Sequence, residues 1–176
     1  MKNKIETDIK NWLINYVEIN HEFYDYKFPP CPYARDARIN AKVDICAWNY
    51  ENIKSFITSQ TQDLINAKKF TVKIMVFPAK MRWYFHIHYF VKKLNNILIP
   101  QDFYAQIGRA VDTKSKYNEL LKNKPYFIII VNKLSDVLDA QHALSKTQYY
   151  SSWSPGHYND VVVRRQKLFE KNYELD

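Results

Sequence analysis

Apolar residues recur along this chain with two distinct periods. In residues 5–21, Ile5, Ile9, Trp12, Leu13, Tyr16 and Val17 return at three- and four-residue steps, which sets them on one face of an amphipathic helix. Phe23-Tyr24-Asp25-Tyr26 and the prolines after it predict irregular backbone, and Ala34 to Asn40 predicts a short helical turn. Residues 41–48 alternate polar and apolar as a half-buried strand does. The helical period returns over residues 50–68, with Ile53, Phe56, Ile57, Leu64 and Ile65 as its stripe. Thr71 to Phe77 predicts a strand stopped by Pro78. A third helix is predicted over 82–98, where Trp83, Ile87, Phe90, Val91, Leu94 and Ile97 or Leu98 share a face and Pro100 ends the run.

Further on, Asp102 to Val111 predicts a strand, and Lys114 to Lys124 a polar loop or short helix. Tyr126 to Val131 is almost wholly apolar, as in a central strand buried on both faces. Ser135 is placed to cap a helix over 136–145. An aromatic, Ser-rich loop over 149–157 precedes a last strand at 160–166. From residue 71 the order is strand, helix, strand, strand, helix, strand. That order predicts an α+β fold: a ferredoxin-like sheet covered by helices, with an N-terminal helix–strand–helix extension. A three-layer α/β sandwich is the competing architecture.

A length of 176 residues fits one domain spanning 1–176. Hydrophobic residues at 47% and charged residues at 25% are ordinary for a globular chain, so composition adds no class of its own. Glycine does change the picture. Only Gly108 and Gly156 occur, which excludes both glycine-rich nucleotide loops, and no cofactor is expected. The net charge is +8, carried mainly by lysines spread along the chain. It reads as a solvated surface or as attraction for nucleic acid or another polyanion. Cys31 and Cys46 are too few for a disulfide framework and match no zinc spacing. The polar N-terminus and the short apolar runs predict no secretory leader and no membrane partner, hence a cytoplasmic setting. Oligomeric state is not fixed by these features.

Candidate chemistry gathers in Phe28-Pro29-Pro30-Cys31-Pro32-Tyr33-Ala34-Arg35-Asp36-Ala37-Arg38. Prolines stiffen the backbone that delivers Cys31 to a helix start. A thiol there, beside cations, is expected to have a lowered pKa. Arg35 and Arg38 are spaced to share a helix face and clamp a carboxylate or phosphate. The same residues also fit a packed cysteine and surface ion pairs. Ala34 stands where the Cys-Pro-Tyr-Cys box of glutaredoxins has its second thiol, so dithiol exchange is not expected. His86-Ile87-His88 would chelate a metal on a strand, but its surroundings are helical and split the two rings, so no metal is expected. Tyr149 to Tyr158, with Trp153 and His157, fits a pocket wall, a base-stacking surface or plain packing.

These boxes resemble those of the DUF1415 type of bacterial proteins of unknown function. Trp12-Leu13 followed by Cys31-Pro32-Tyr33-Ala34-Arg35 is similar to that family's tryptophan helix and Cys-Pro-Phe-Ala box. Ile74 to Pro78 resembles its strand ending in proline, Phe103 to Ile107 its strand near a glutamine, and Ser154-Pro155 with Val163-Arg164-Arg165 its C-terminal boxes. Phe28-Pro29-Pro30 and Ile107-Gly108-Arg109 depart from the family pattern. The resemblance implies a shared site of Cys31, Arg35 and Arg164, and no reaction. The expectation is a pocket for an anionic small molecule around Cys31 and Arg35. Cys31 is its polar or nucleophilic group, Arg35, Arg38 and Arg164 bind the anion, and Tyr33, Trp153 and His157 line it. The alternative is a nucleic-acid-binding or protein-interaction module that uses the basic surface and exposed aromatics.

Overall fold

The computed structural model describes residues 2–49, 52–67, 69–78, 85–108 and 126–173. The polar stretch Lys114–Lys124, the end of the strand expected to reach Val111, and Trp83 with the start of its helix lie outside them. The fold is mixed α/β, with a four-stranded open sheet and helices packed around it. Strands β1 (Val43–Ala47), β2 (Val72–Pro78), β3 (Phe103–Gly108) and β4 (Tyr126–Lys133) lie in the order β1-β2-β4-β3. β1 runs parallel to β2, while β4 is antiparallel to both of its neighbours.

Side-chain alternation gives the sheet two apolar faces. Met75, Phe77, Ala105, Phe127, Ile129 and Val131 point to one, and α3 (Ile53–Ala67) and α4 (Phe85–Leu98) cover it with Phe56, Ile57, Leu64, Val91 and Leu94. Ile74, Val76 and Ile128 point to the other, against Ile9, Leu13 and Val17 of α1 (Lys2–Trp12) and the π-helical turn Leu13–Val17 that continues it. Burial on both faces explains the unbroken apolar runs of β2 and β4. Gly108 serves this packing: a Cβ there would stand 2.2 Å from Ile128 Cγ1, across the β3–β4 register.

Two turns are built without glycine. α2 (Ala34–Ile39) ends with Ala41 in the left-handed region, φ 52°. The Ala41 N–H donates to the Arg38 carbonyl and the Lys42 N–H to that of Ala37, which is a Schellman closure. Asp102, φ 63°, starts β3 and also caps α5 (Leu134–Ser145). Its carboxylate accepts from the Ser135 N–H at 2.7 Å and from the Ser135 Oγ–H at 2.6 Å. Ser135 is therefore the capped residue and not the cap.

Residues 160–166, expected as the last strand, are helical. The turn α6 (Pro155–Tyr158) runs through a π-helical turn, Asn159–Val163, into α7 (Arg164–Tyr173). Val162 buries its side chain there and accepts from Gln141 Nε2 of α5, so tertiary packing overrides the β propensity of three consecutive valines. The place beside β2 that a ferredoxin-like order assigns to its last strand is held by β1, which comes earlier in the chain and runs parallel.

Candidate functional site

The loop from the end of the π-helical turn to α2 carries Cys31 toward the C-terminal helices. Its backbone is tied at both ends. The His21 N–H donates to the Phe28 carbonyl, and the Cys31 N–H donates to the carbonyl of Val17. Between them a tight turn sets Asp25 and Tyr26 in the left-handed region and turns Tyr24 inward. Tyr24 and Tyr149 stack with ring centres 4.7 Å apart, and Phe23, Phe28, Tyr150 and Trp153 close round them.

The polar ends of this aromatic cluster are matched to one another. The Trp153 indole N–H donates to Tyr24 Oη at 3.1 Å, Tyr24 donates to Tyr149 Oη at 3.2 Å, and Tyr149 donates to the Pro30 carbonyl at 2.5 Å. Burial pushes the Tyr24 phenol up from its ordinary value and that of Tyr150 up to about 12. The stiff proline segment is thus anchored one residue before Cys31.

Cys31 itself offers surface to solvent, yet the protein packed around its thiol pushes its pKa up. Backbone N–H groups of Tyr33 and Ala34 and the charge of Arg165 pull the other way without outweighing that burial. The residue is reachable from solvent, but its sulfur is held as a neutral thiol. This corrects the lowered pKa expected from the sequence: hydrogen bonds and a cation are present, and desolvation is larger.

The structure sorts the expected arginines by what they touch. Arg38 is a two-pronged partner of Glu18, Nε to Oε1 at 2.7 Å and Nη2 to Oε2 at 2.8 Å, and the Glu18 side chain is only 4% exposed. That ion pair fills the fork expected to bind a ligand and raises the guanidinium pKa further. Arg35 is exposed on α2. Arg164 is exposed and lines an open groove of about 510 Å³ with Asn159, Val163, Lys167 and Leu168. The arginine at the aromatic cluster is Arg165, 9% exposed. It donates to Gln141 Oε1 at 3.4 Å and to Gln106 Oε1 at 3.1 Å, with its guanidinium 5.4 Å from the Tyr104 ring centre.

Cys31, Trp153 and Arg165 therefore converge, with His157 4.3 Å from the Trp153 ring. Tyr33 joins through its hydroxyl, which donates to the Ala140 carbonyl at 3.3 Å. Arg35 and Arg164 stand apart from this group as exposed side chains. Reading the sequence places Tyr149 within the candidate aromatic segment but offers Tyr24, Gln106, Gln141 and Arg165 no role as site residues. A helical reading of residues 159–169 puts Val162, Arg165 and Phe169 on one face and finds the buried arginine. Of the histidine pair, Ile87 turns into the core of α4 while His88 is exposed. Compared with known proteins, the chain matches no family model, no curated protein and no solved structure.

Proposed function

We propose that the junction of the Cys31 loop, α5 and α7 binds a small anionic molecule, with Arg165 as the cation that receives it. The observation that carries this reading is the buried guanidinium. Removing a charge from water costs several kcal/mol, and Gln106 and Gln141 help to hold this one at the junction. Its field reaches both Cys31 and Tyr150, so the charge acts on the groups that line the junction. In this reading Tyr33, Trp153 and His157 flank the anion, and Cys31 offers a neutral S–H and not a nucleophile. The resemblance in the Cys31–Arg35 and Arg164–Arg165 boxes agrees with an arginine–cysteine site and supplies no reaction.

Titration calorimetry of the full chain with inorganic phosphate, acetate and benzoate tests this. At least one is expected to bind saturably. Arg165→Met is expected to weaken it by about tenfold to a hundredfold, the worth of a charge-assisted hydrogen bond, with Arg35→Gln unchanged. Absence of saturable binding, or equal affinity in Arg165→Met, overturns the reading.

The second reading, contact with nucleic acid or a partner protein, is favoured by Arg164 and Lys167 along the α7 groove. Anisotropy of a labelled single-stranded oligonucleotide across a salt series tests it. Binding that is lost with the double variant Arg164→Ala/Lys167→Ala supports it.

A further inference from the structure

The two outer strands of the sheet are finished differently. On β3 the edge is blocked at its middle. Asn95 of α4 lays its side-chain amide along the strand, accepting from the Ala105 N–H at 2.7 Å and donating to the Ala105 carbonyl at 2.9 Å. That amide takes both backbone groups of Ala105, the middle of the three residues of β3 whose backbone turns outward.

β1 shows no such plug among the described residues. The Trp48 N–H donates to Val76 of β2, and the Lys42 carbonyl accepts from Val72, so the even-numbered positions turn their backbone inward. By alternation Val43, Ile45 and Ala47 turn their N–H and C=O groups outward, where the sheet ends. Such a row is a template for another strand.

We propose that β1 pairs antiparallel with β1 of a second copy of this chain, about a two-fold axis through Ile45, to give a continuous eight-stranded sheet. The sequence of the strand is self-complementary in that register. It sets Val43 against the partner's Ala47 and Ile45 against the partner's Ile45 on one face. On the other face Asp44 meets the partner's Cys46, and Lys42 meets the partner's Trp48, a cation beside an indole. Asp44 is not set directly opposite its own copy, as it would be if the axis passed through residue 44, and Lys73 holds it at 3.0 Å. Like charges directly opposite would destabilise that alternative. Between these two central registers the strand thus favours the one through Ile45.

Sedimentation velocity of the full chain from micromolar to sub-millimolar concentration reads the association. The unaltered chain is expected to dimerise. Ile45→Pro is expected to keep the fold, because that N–H faces away from β2, and to weaken the dimer about tenfold or more, since the two-fold removes two inter-strand hydrogen bonds at once. A second measurement does not depend on proline. In Cys31→Ser/Asp44→Cys, the new thiol lies opposite the partner's Cys46 in a non-hydrogen-bonded pair, with Cα atoms about 4.5 Å apart and within disulfide reach. Mild oxidation is expected to give a covalent dimer on a denaturing gel, and Cys31→Ser alone none. A chain that stays monomeric throughout overturns the proposal and leaves the edge to an extended segment of another protein. Dimers without the crosslink, or dimers undiminished by Ile45→Pro, place the contact elsewhere and overturn it as well.

Discussion

At the scale of single residues, the chemistry of this chain is set by burial more than by charge. Cys31 shows it: two N–H groups and a guanidinium act on the thiol, and desolvation still prevails. Tyr126 gives the measurable counterpart. Its hydroxyl donates to Asp8 Oδ2 at 2.6 Å, and holding that proton raises the phenol from 10 to about 12. The folded state therefore favours protonated Tyr126. Its contribution is present in full below pH 10 and is lost as pH rises toward about 12. Tyr126→Phe is expected to cost about 1 kcal/mol at neutral pH and to flatten the loss of stability across that alkaline window, as urea melts at several pH values would show. Tyr150, raised for a different reason, titrates in the same window, so Tyr150→Phe is the matched control. Cys31, Trp153 and His157 are legible in the sequence as candidates, whereas the C-terminal arginine it offers, Arg164, is exposed and its neighbour Arg165 is the buried one. Arg164 rests on the family resemblance alone, and a helical period over residues 159–169, which three valines argue against on propensity, singles out Arg165.

At the scale of elements, periodicity was a good guide wherever one element packs on one sheet face. The stripes of α1, α3 and α4 and the apolar runs of β2 and β4 fall where the pattern puts them, because each buries a continuous face. What no local pattern carried were the closures made by residues distant in sequence. Asp102 caps α5 from 33 positions away, and Val162 is held in a helical turn by Gln141. α2 offers a direct test of a local closure. Its Schellman turn places Ala41 at φ 52°, a conformation that strains a Cβ and suits glycine. Ala41→Gly is expected to stabilise the protein by about 0.5–1 kcal/mol in urea melts, the relief of left-handed strain exceeding the added chain entropy of the unfolded state.

At the scale of the whole molecule, one mixed sheet is covered on both faces and finished differently at its two edges. In the language of polymer chemistry, the Asn95 amide sets the functionality of the monomer. A unit with one reactive end forms pairs and stops; a unit with two grows without limit. With β3 blocked at Ala105, the proposed pairing through β1 uses the edge that is left open at its middle, and assembly is expected to terminate at two copies. Asn95→Ala removes the stopper and exposes the Ala105 backbone groups. It is expected to turn a terminating association into concentration-dependent growth of large species, visible by light scattering, and Ile45→Pro in the same chain is expected to cap that growth again. A single side-chain amide on a helix then decides whether this sheet is a finite object or a repeating one.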